Sequence, residues 1–317
     1  LFLSNFPFRH MEFFLNSISE KIQRDIPIVY RLDGLFHENR ELDSDKYLDE
    51  ICLDFINNFA DGTVYQTDWI KQRQESFGVD AALKNITIMN APDVNIFVKQ
   101  VIVPPKGEDK LKLISTCWAP NKRKGFETYK WLDENLDFSV YEYTYVGRLP
   151  EGVSFKNIVV KEGMSSKELA AELSQHHVFI SAAYNEPCSN SLIEAMHVGL
   201  PAIGHNSGGT PEIINDSNCL FSEPEEILSA LKRLKDDYNH YQNNLFLPSI
   251  EDIAQKYYLF CEEVTQNRIK AIEKECVDEF IAKLKFYKLI ESPLQIVIRK
   301  FKSAVKRILK VFGLWNG

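Results

Sequence analysis

The sequence predicts an α/β protein made of two doubly wound domains in tandem. Short β-branched and aromatic runs alternate with stretches of helical periodicity along most of its 317 residues. A polar Pro/Gly stretch, "PPKGEDK" at 104–110, breaks this alternation into two series. Strands that alternate with helices pair in parallel and are covered on both faces. A chain of this length is also long for one core and comfortable for two.

In the first series, "PIVYRL" (27–32), "GTVYQT" (62–67) and "ITIM" (86–89) read as strands bounded by turn residues. "SDKYLDEICLDFINNFA" and "DWIKQRQESF" read as the helices between them. In the second series, "KLKLISTCW", "VYEYTYVG", "NIVV", "VFISA", "PAIG" and "CLF" are the strands. The helices are "FETYKWLDENL", "SSKELAAELSQH", "SNSLIEAMHVG", "TPEII" and "EPEEILSALKRLKDDY". Ser165 or Ser166 caps the second of these, with Glu168 in its first turn, and Gly199 ends the third. From Ser249 to about Glu291 the pattern is helical and charged. The expected units are 1–104, 105–248, a helical return segment at 249–291 and a basic tail at 293–317.

That tail, "PLQIVIRKFKSAVKRILKVFGLWNG", has six Lys/Arg and no acidic residue. Leu294, Ile298, Phe301, Val305, Ile308, Phe312 and Trp315 recur at alternating spacings of four and three, which gathers them on one helical face. Such a helix suits an anionic membrane surface; docking on the protein's own acidic surface is the alternative. Without those six, 31 of the 37 basic residues face 45 acidic ones. A net charge of −8 argues against nucleic acid as a general partner. The six cysteines (52, 117, 188, 219, 261, 276) show no metal-ligand spacing and read as reduced thiols in a cytoplasmic setting. No run approaches 18 apolar residues, and no signal peptide is recognised.

Chemistry concentrates in "NEPCSNSLIEAMHVGLPAIGHNSGGTPE", Asn185 to Glu212. A strand ends near Ala182, Pro187 fixes a turn, and Ser189 or Asn190 caps the next helix, leaving its early N–H groups at the strand's C-terminal end. Ligands bind at that end of open parallel sheets, and a helix N-terminus there suits a phosphate. Glu194 lies one to two turns in, among apolar residues, where a carboxylate needs a donor. Sugar or ribose hydroxyls are suitable donors. Gly208 and Gly209 permit close backbone approach, and Thr210-Pro211-Glu212 opens a second helix. Two converging helix N-termini fit an anionic, hydroxyl-rich ligand. For either glutamate alone, pairing with a neighbouring Arg or Lys is the ordinary alternative.

This block resembles the donor-binding signature of retaining GT-B glycosyltransferases with an E-x7-E motif. Glu186-x7-Glu194-Ala195 matches in register, as do Gly199-x-Pro201 and Gly208-Gly209-x-Pro211-Glu212. "Tyr65-Gln66-Thr67", "NAPDVNIF" (90–97) and "CWAPNKRKGFETYKWL" are similar to further family motifs in the same order. The resemblance covers roughly residues 26 to 240. It implies a GT-B-like fold and transfer of a sugar from a UDP- or GDP-sugar to a glycan or lipid-linked acceptor, with retention and without a metal or other cofactor. By position, Glu194 would bond the ribose, Glu186 the donor sugar, and Ser189, Asn190 and Ser191 the diphosphate and sugar. Lys124 would neutralise the leaving diphosphate. The family's preceding Gly-Arg has Ala119 in the Arg position, so Lys122 and Arg123 are the candidates for the second cation, beside Asn121. "YRLDGLFH" (30–37) resembles the Arg-x-Asp-Gly strand end of one branch, which would turn Asp33 into the interdomain cleft; a turn-forming Asp-Gly is the alternative. The acceptor would lie against the first domain. A complete first domain of this family is larger, so the expectation is a truncated or degenerate one.

Two other readings remain: a GT-B-fold sugar-nucleotide epimerase, and a non-catalytic nucleotide-sugar-binding module. Asp43-Ser44-Asp45 spells a D-x-D metal motif, but it lies in a charged loop where capping explains it. His197, three residues after Glu194, shares its helix face or is an ordinary surface histidine. Association with the cytoplasmic membrane face would follow from the tail.

Overall fold

A computed structural model describes residues 2–4, 11–107, 109–245, 247–266 and 272–290, and so excludes the whole basic tail at 293–317. Its residues build two parallel sheets. The first has four strands in the order β1-β2-β3-β4, at Phe2–Ser4, Val29–Leu32, Gly62–Tyr65 and Asn85–Thr87. The second has six in the order β10-β9-β8-β5-β6-β7. These are β5 (Leu111–Cys117), β6 (Tyr141–Gly147), β7 (Val159–Lys161), β8 (Val178–Ser181), β9 (Ala202–His205) and β10 (Leu220–Phe221).

The central strands are buried on both faces, as helix-covered parallel strands must be: β3 and β8 are buried throughout. Tyr30, Phe55, Phe59 and Tyr65 centre one core between the first sheet and α3 (Lys46–Phe59). Leu113, Phe179, Leu192 and Leu231 belong to the second core, under α7 (Asn190–Val198) and α9 (Glu226–Asp236). Sequence signals for the helix ends hold in detail. Ser165 caps α6 (Ser166–Leu173) in a full capping box with Glu168. Gly199 closes α7 with φ 109°, a conformation that suits glycine.

Four elements escape sequence reasoning. β1 pairs in parallel with β2 and is followed by α1 (Met11–Arg24), a βα unit ahead of the first predicted strand. α2 (Phe36–Arg40) and α10 (Tyr238–Asn243) carry one turn or so each, too short for periodicity to register. The return segment is two helices, α11 (Ile250–Gln266) and α12 (Lys274–Ile290), rather than one. Both go back to the first domain: Phe260 and Val264 of α11 join a core with Val29 and Val64, and Phe280 of α12 packs on Phe55 and Phe59. None of the helices among the described residues is long and apolar enough to cross a membrane.

Candidate functional site

The C-terminal ends of the two sheets meet across a cleft. Asp33 follows β2, Gln66 and Thr67 follow β3, and Asn90 lies just past β4. Opposite them, residues 119–124 follow β5 and residues 182–187 follow β8. Several bonds span the gap. Thr67 Oγ1 donates to the Pro187 carbonyl at 3.0 Å, and Asn90 Nδ2 donates to Asn190 Oδ1 at 2.7 Å.

On the second domain, two loops are strapped together to place Lys124. Gly125 has φ 74°, and a Cβ there would meet the Ala182 carbonyl oxygen at 2.1 Å, so only glycine lets the 122–125 turn lie this close. The Tyr184 N–H donates to the Arg123 carbonyl at 2.9 Å. Lys124 Nζ then reaches Glu186 Oε2 at 2.6 Å, both groups half-buried. Ser189 caps α7, and its hydroxyl lies 3.2 Å from that of Ser191. Glu186, Ser189, Asn190, Ser191, Lys124 and Glu194 all line one cavity of about 310 Å³.

Glu194 is the unusual member. Among the described residues no hydrogen bond or ion pair reaches its carboxylate, and burial alone lifts its pKa from 4.5 to about 7. His197 does not orient it: the His197 Nδ1 bonds the Ile193 carbonyl at 2.9 Å. Two cysteines, Cys117 and Cys188, line the same cavity, and burial pushes both thiols up, Cys188 to about 11.

A second cavity of about 320 Å³ continues the first, sharing Lys124, Glu186 and Asn190 and adding Asp33, Gln66 and Asn121. Asp33 is thus brought to the cleft rather than left in an exposed turn. Arg31 Nη1 donates to its carboxylate at 3.0 Å, Gln66 Nε2 donates to the same oxygen, and Gln74 holds its backbone carbonyl at 2.8 Å. Burial raises the Asp33 pKa, against the pull of Arg31 and Gln66. Arg31 is in turn fixed by Asn90 and by Tyr257 of the return helix α11.

Four of the expected site residues have other work. Arg123 is only 8% exposed; its guanidinium donates to Asn39 Oδ1 at 2.8 Å and to the Asn185 carbonyl, joining the domains. Lys122 is exposed and lines neither cavity, so Lys124 is the one cation of this turn among the lining residues that is not already bound to the backbone. Gly208 and Gly209 are needed against protein, since a Cβ would meet the Glu186 carbonyl oxygen at 2.4 Å and the Pro187 carbonyl oxygen at 2.2 Å respectively. The Gly209 N–H donates to the Glu186 carbonyl, so the start of α8 (Thr210–Ile214) faces the neighbouring loop. Glu212 accepts from the Asp68 and Trp69 N–H groups at 2.7 and 2.8 Å and caps α4 (Asp68–Phe77) of the other domain. It lines a separate cavity with Ile213 and Leu247.

Asn39, Gln74 and Tyr257 support the site without any signal in the sequence. They are single polar residues in short or amphipathic helices, and only the folded topology brings them to the cleft. Among the described residues, no three His, Cys, Asp or Glu side chains are grouped to hold a metal.

Two facing parallel α/β domains with strand ends at a shared cleft make this a GT-B fold, and solved structures agree. The sucrose-phosphate synthase of Thermosynechococcus elongatus superposes with a TM-score of 0.53 at 15% identity, over 88% of this chain and 73% of that one. Anabaena HepE in complex with UDP and glucose gives 0.56 at 15% identity, over 80% and 72%. A glycosyltransferase from Rickettsia africae gives 0.55 at 15% identity, over 80% of each chain. Residues 141–237 match the family model described as Glycosyl transferases group 1, a span that contains both glutamates and the Gly-Gly loop. No curated protein matches the chain.

Proposed function

We propose that the protein is a retaining glycosyltransferase that moves a sugar from a nucleoside-diphosphate sugar to a glycan or lipid-linked acceptor. The observation that carries this reading is Glu194, a half-buried carboxylate without a protein partner, opening into the cavity that also holds Lys124 and Glu186. A carboxylate left in this state is costly unless a ligand supplies donors. Vicinal ribose hydroxyls supply two. The diphosphate lies towards Lys124 and the N-terminus of α7, where an ammonium and free N–H groups meet an anion. Glu186 then takes hydroxyls of the transferred sugar, exchanging part of its bond with Lys124.

In the reaction, an acceptor hydroxyl oxygen forms a bond to the anomeric carbon while the bond from that carbon to the diphosphate oxygen breaks. The nucleoside diphosphate leaves with the electron pair, beside Lys124, and the hydroxyl proton passes to the departing phosphate. Asp33 faces this point from the other domain and positions the acceptor hydroxyl. Retention and metal independence follow from the resemblance of residues 185–212 to E-x7-E transferases. UDP is the first nucleotide to test, because the HepE neighbour was solved in complex with UDP.

Incubation with a panel of UDP- and GDP-sugars and mixed glycan acceptors, followed by NMR of the product's anomeric proton, tests the reading. Transfer with the donor's own anomeric configuration supports it; inversion, or no turnover of any sugar nucleotide, contradicts it. We also place the protein at the cytoplasmic membrane face, through the tail at 293–317. Deleting those residues is expected to abolish binding to anionic liposomes, and equal binding by the shortened chain refutes this placement.

A further inference from the structure

A third cavity, of about 470 Å³, opens beside the cleft on the far side of Arg123. Its volume is within the range of about 300–1,000 Å³ usual for small-molecule sites. Glu38, Glu41, Trp69 and Arg73 of the first domain line it, with Tyr184 from the second. Arg123 lines both this cavity and the one containing Asp33 and Glu186, so the two adjoin across a single guanidinium.

The charges of this cavity are already matched. Arg73 pairs with Glu38, with Nε to Oε2 at 3.2 Å. Arg123 is held by Asn39 and the Asn185 carbonyl. Two guanidiniums and two carboxylates leave no excess positive charge for a phosphate or sulfate. What remains available is different in kind. Trp69 is half-buried and has no ring partner among the described residues, and the Glu41 carboxylate takes one long bond, from Tyr184 Oη at 3.4 Å. The indole packs in part on the core of the first domain and the Tyr184 ring is tilted against His205, yet both line the cavity with apolar surface, and the Glu41 carboxylate adds an acceptor with room for further donors. A neutral sugar presents the complementary surface, with C–H groups on its ring faces and hydroxyls around its edge.

We propose that this cavity is an acceptor subsite for an uncharged oligosaccharide, whose terminal sugar passes Arg123 to reach Asp33 and Glu186. This deepens the glycosyl-transfer reading and rests on it for direction, though not for binding. It favours a glycan over a lipid phosphate as the acceptor.

Saturation-transfer NMR on the full chain tests it, using maltotriose, cellotriose, chitotriose and mannotriose as neutral probes and dodecyl phosphate as the anionic one. UDP binding is measured in parallel. The expected result is transfer to at least one trisaccharide, undiminished by UDP. Affinity should fall at least tenfold in Trp69→Ala and about threefold or more in Glu41→Gln, a variant at an exposed position that does not endanger folding. Both variants should bind UDP as the wild type does. Binding of UDP with no signal from any trisaccharide, signal from dodecyl phosphate alone, or equal trisaccharide signal in both variants overturns the subsite. Trisaccharide binding without UDP binding upholds the subsite and counts against the transferase reading instead.

Discussion

Replacing Glu194 with Gln should stabilise the free protein while weakening its hold on nucleotide. In the fold its pKa rises from 4.5 to about 7, with burial as the cause. The protonated form is therefore favoured, and stability present below pH 4.5 is lost as pH climbs through about 7. At about 1.4 kcal/mol per tenfold, the full displacement corresponds to roughly 3 kcal/mol. Contact with solvent through the cavity mouth reduces this to roughly 1–2 kcal/mol. Gln keeps the shape and carries no charge, so Glu194→Gln should melt roughly 2–5 °C higher at pH 8. At pH 4, below both values, Glu194 holds its proton folded and unfolded, and the two proteins should melt together. UDP affinity should move the other way, falling about tenfold, because hydrogen bonds to a charged acceptor contribute about 1.5–3 kcal/mol. Wild-type affinity should rise from pH 6 to pH 8, since donors favour the ionised carboxylate. Differential scanning fluorimetry at the two pH values, with and without UDP, reads all of this. A variant no more stable than wild type at pH 8, or equally stabilised at both pH values, refutes the claim that Glu194 is an uncompensated carboxylate.

Three further substitutions test other parts of the site and fold. Lys124→Gln removes the ammonium beside Glu186 and should weaken UDP binding at least tenfold by calorimetry, with little change in melting temperature. Glu212→Ala uncaps α4 across the domain boundary; loss of about 1–2 kcal/mol is expected in urea unfolding, with a larger radius of gyration in solution scattering. Lys21→Met strands Asp61, whose carboxylate also accepts the Ile28 N–H at 2.8 Å, and should cost about 3–5 kcal/mol in the same unfolding assay. An unchanged midpoint would contradict the buried pair's role.

Much of the cleft's second-domain wall was legible because its signals are local. Ser189 before α7, Gly199 after it and the E-x7-E spacing are all contained in one βα unit, where caps and turns set geometry within a few residues. The second helix start also makes contacts of another kind. Its Gly-Gly and Thr-Pro-Glu have the composition of a ligand loop, yet their partners are the 185–187 loop and α4, contacts that no spacing encodes. The same blindness hid Arg123, whose charge suggested phosphate and whose burial shows a clamp between domains. Asp33 is the mixed case. Its strand-end position and its neighbour Arg31 were readable from "YRLDGLFH", but the Gln66 and Gln74 bonds that help set its direction come from two other places in the chain. Trp69 and Tyr184 were silent, since a lone aromatic in a helix or loop reads as core until the cavity beside it is seen.

The most direct measurement is isothermal titration of UDP and GDP into the full chain, wild type beside Glu194→Ala. One-site binding of at least one nucleotide by the wild type, lost or weakened at least tenfold in the variant, is the result expected of a nucleotide-sugar site built on Glu194. Heat from neither nucleotide, or equal binding by both proteins, would contradict it.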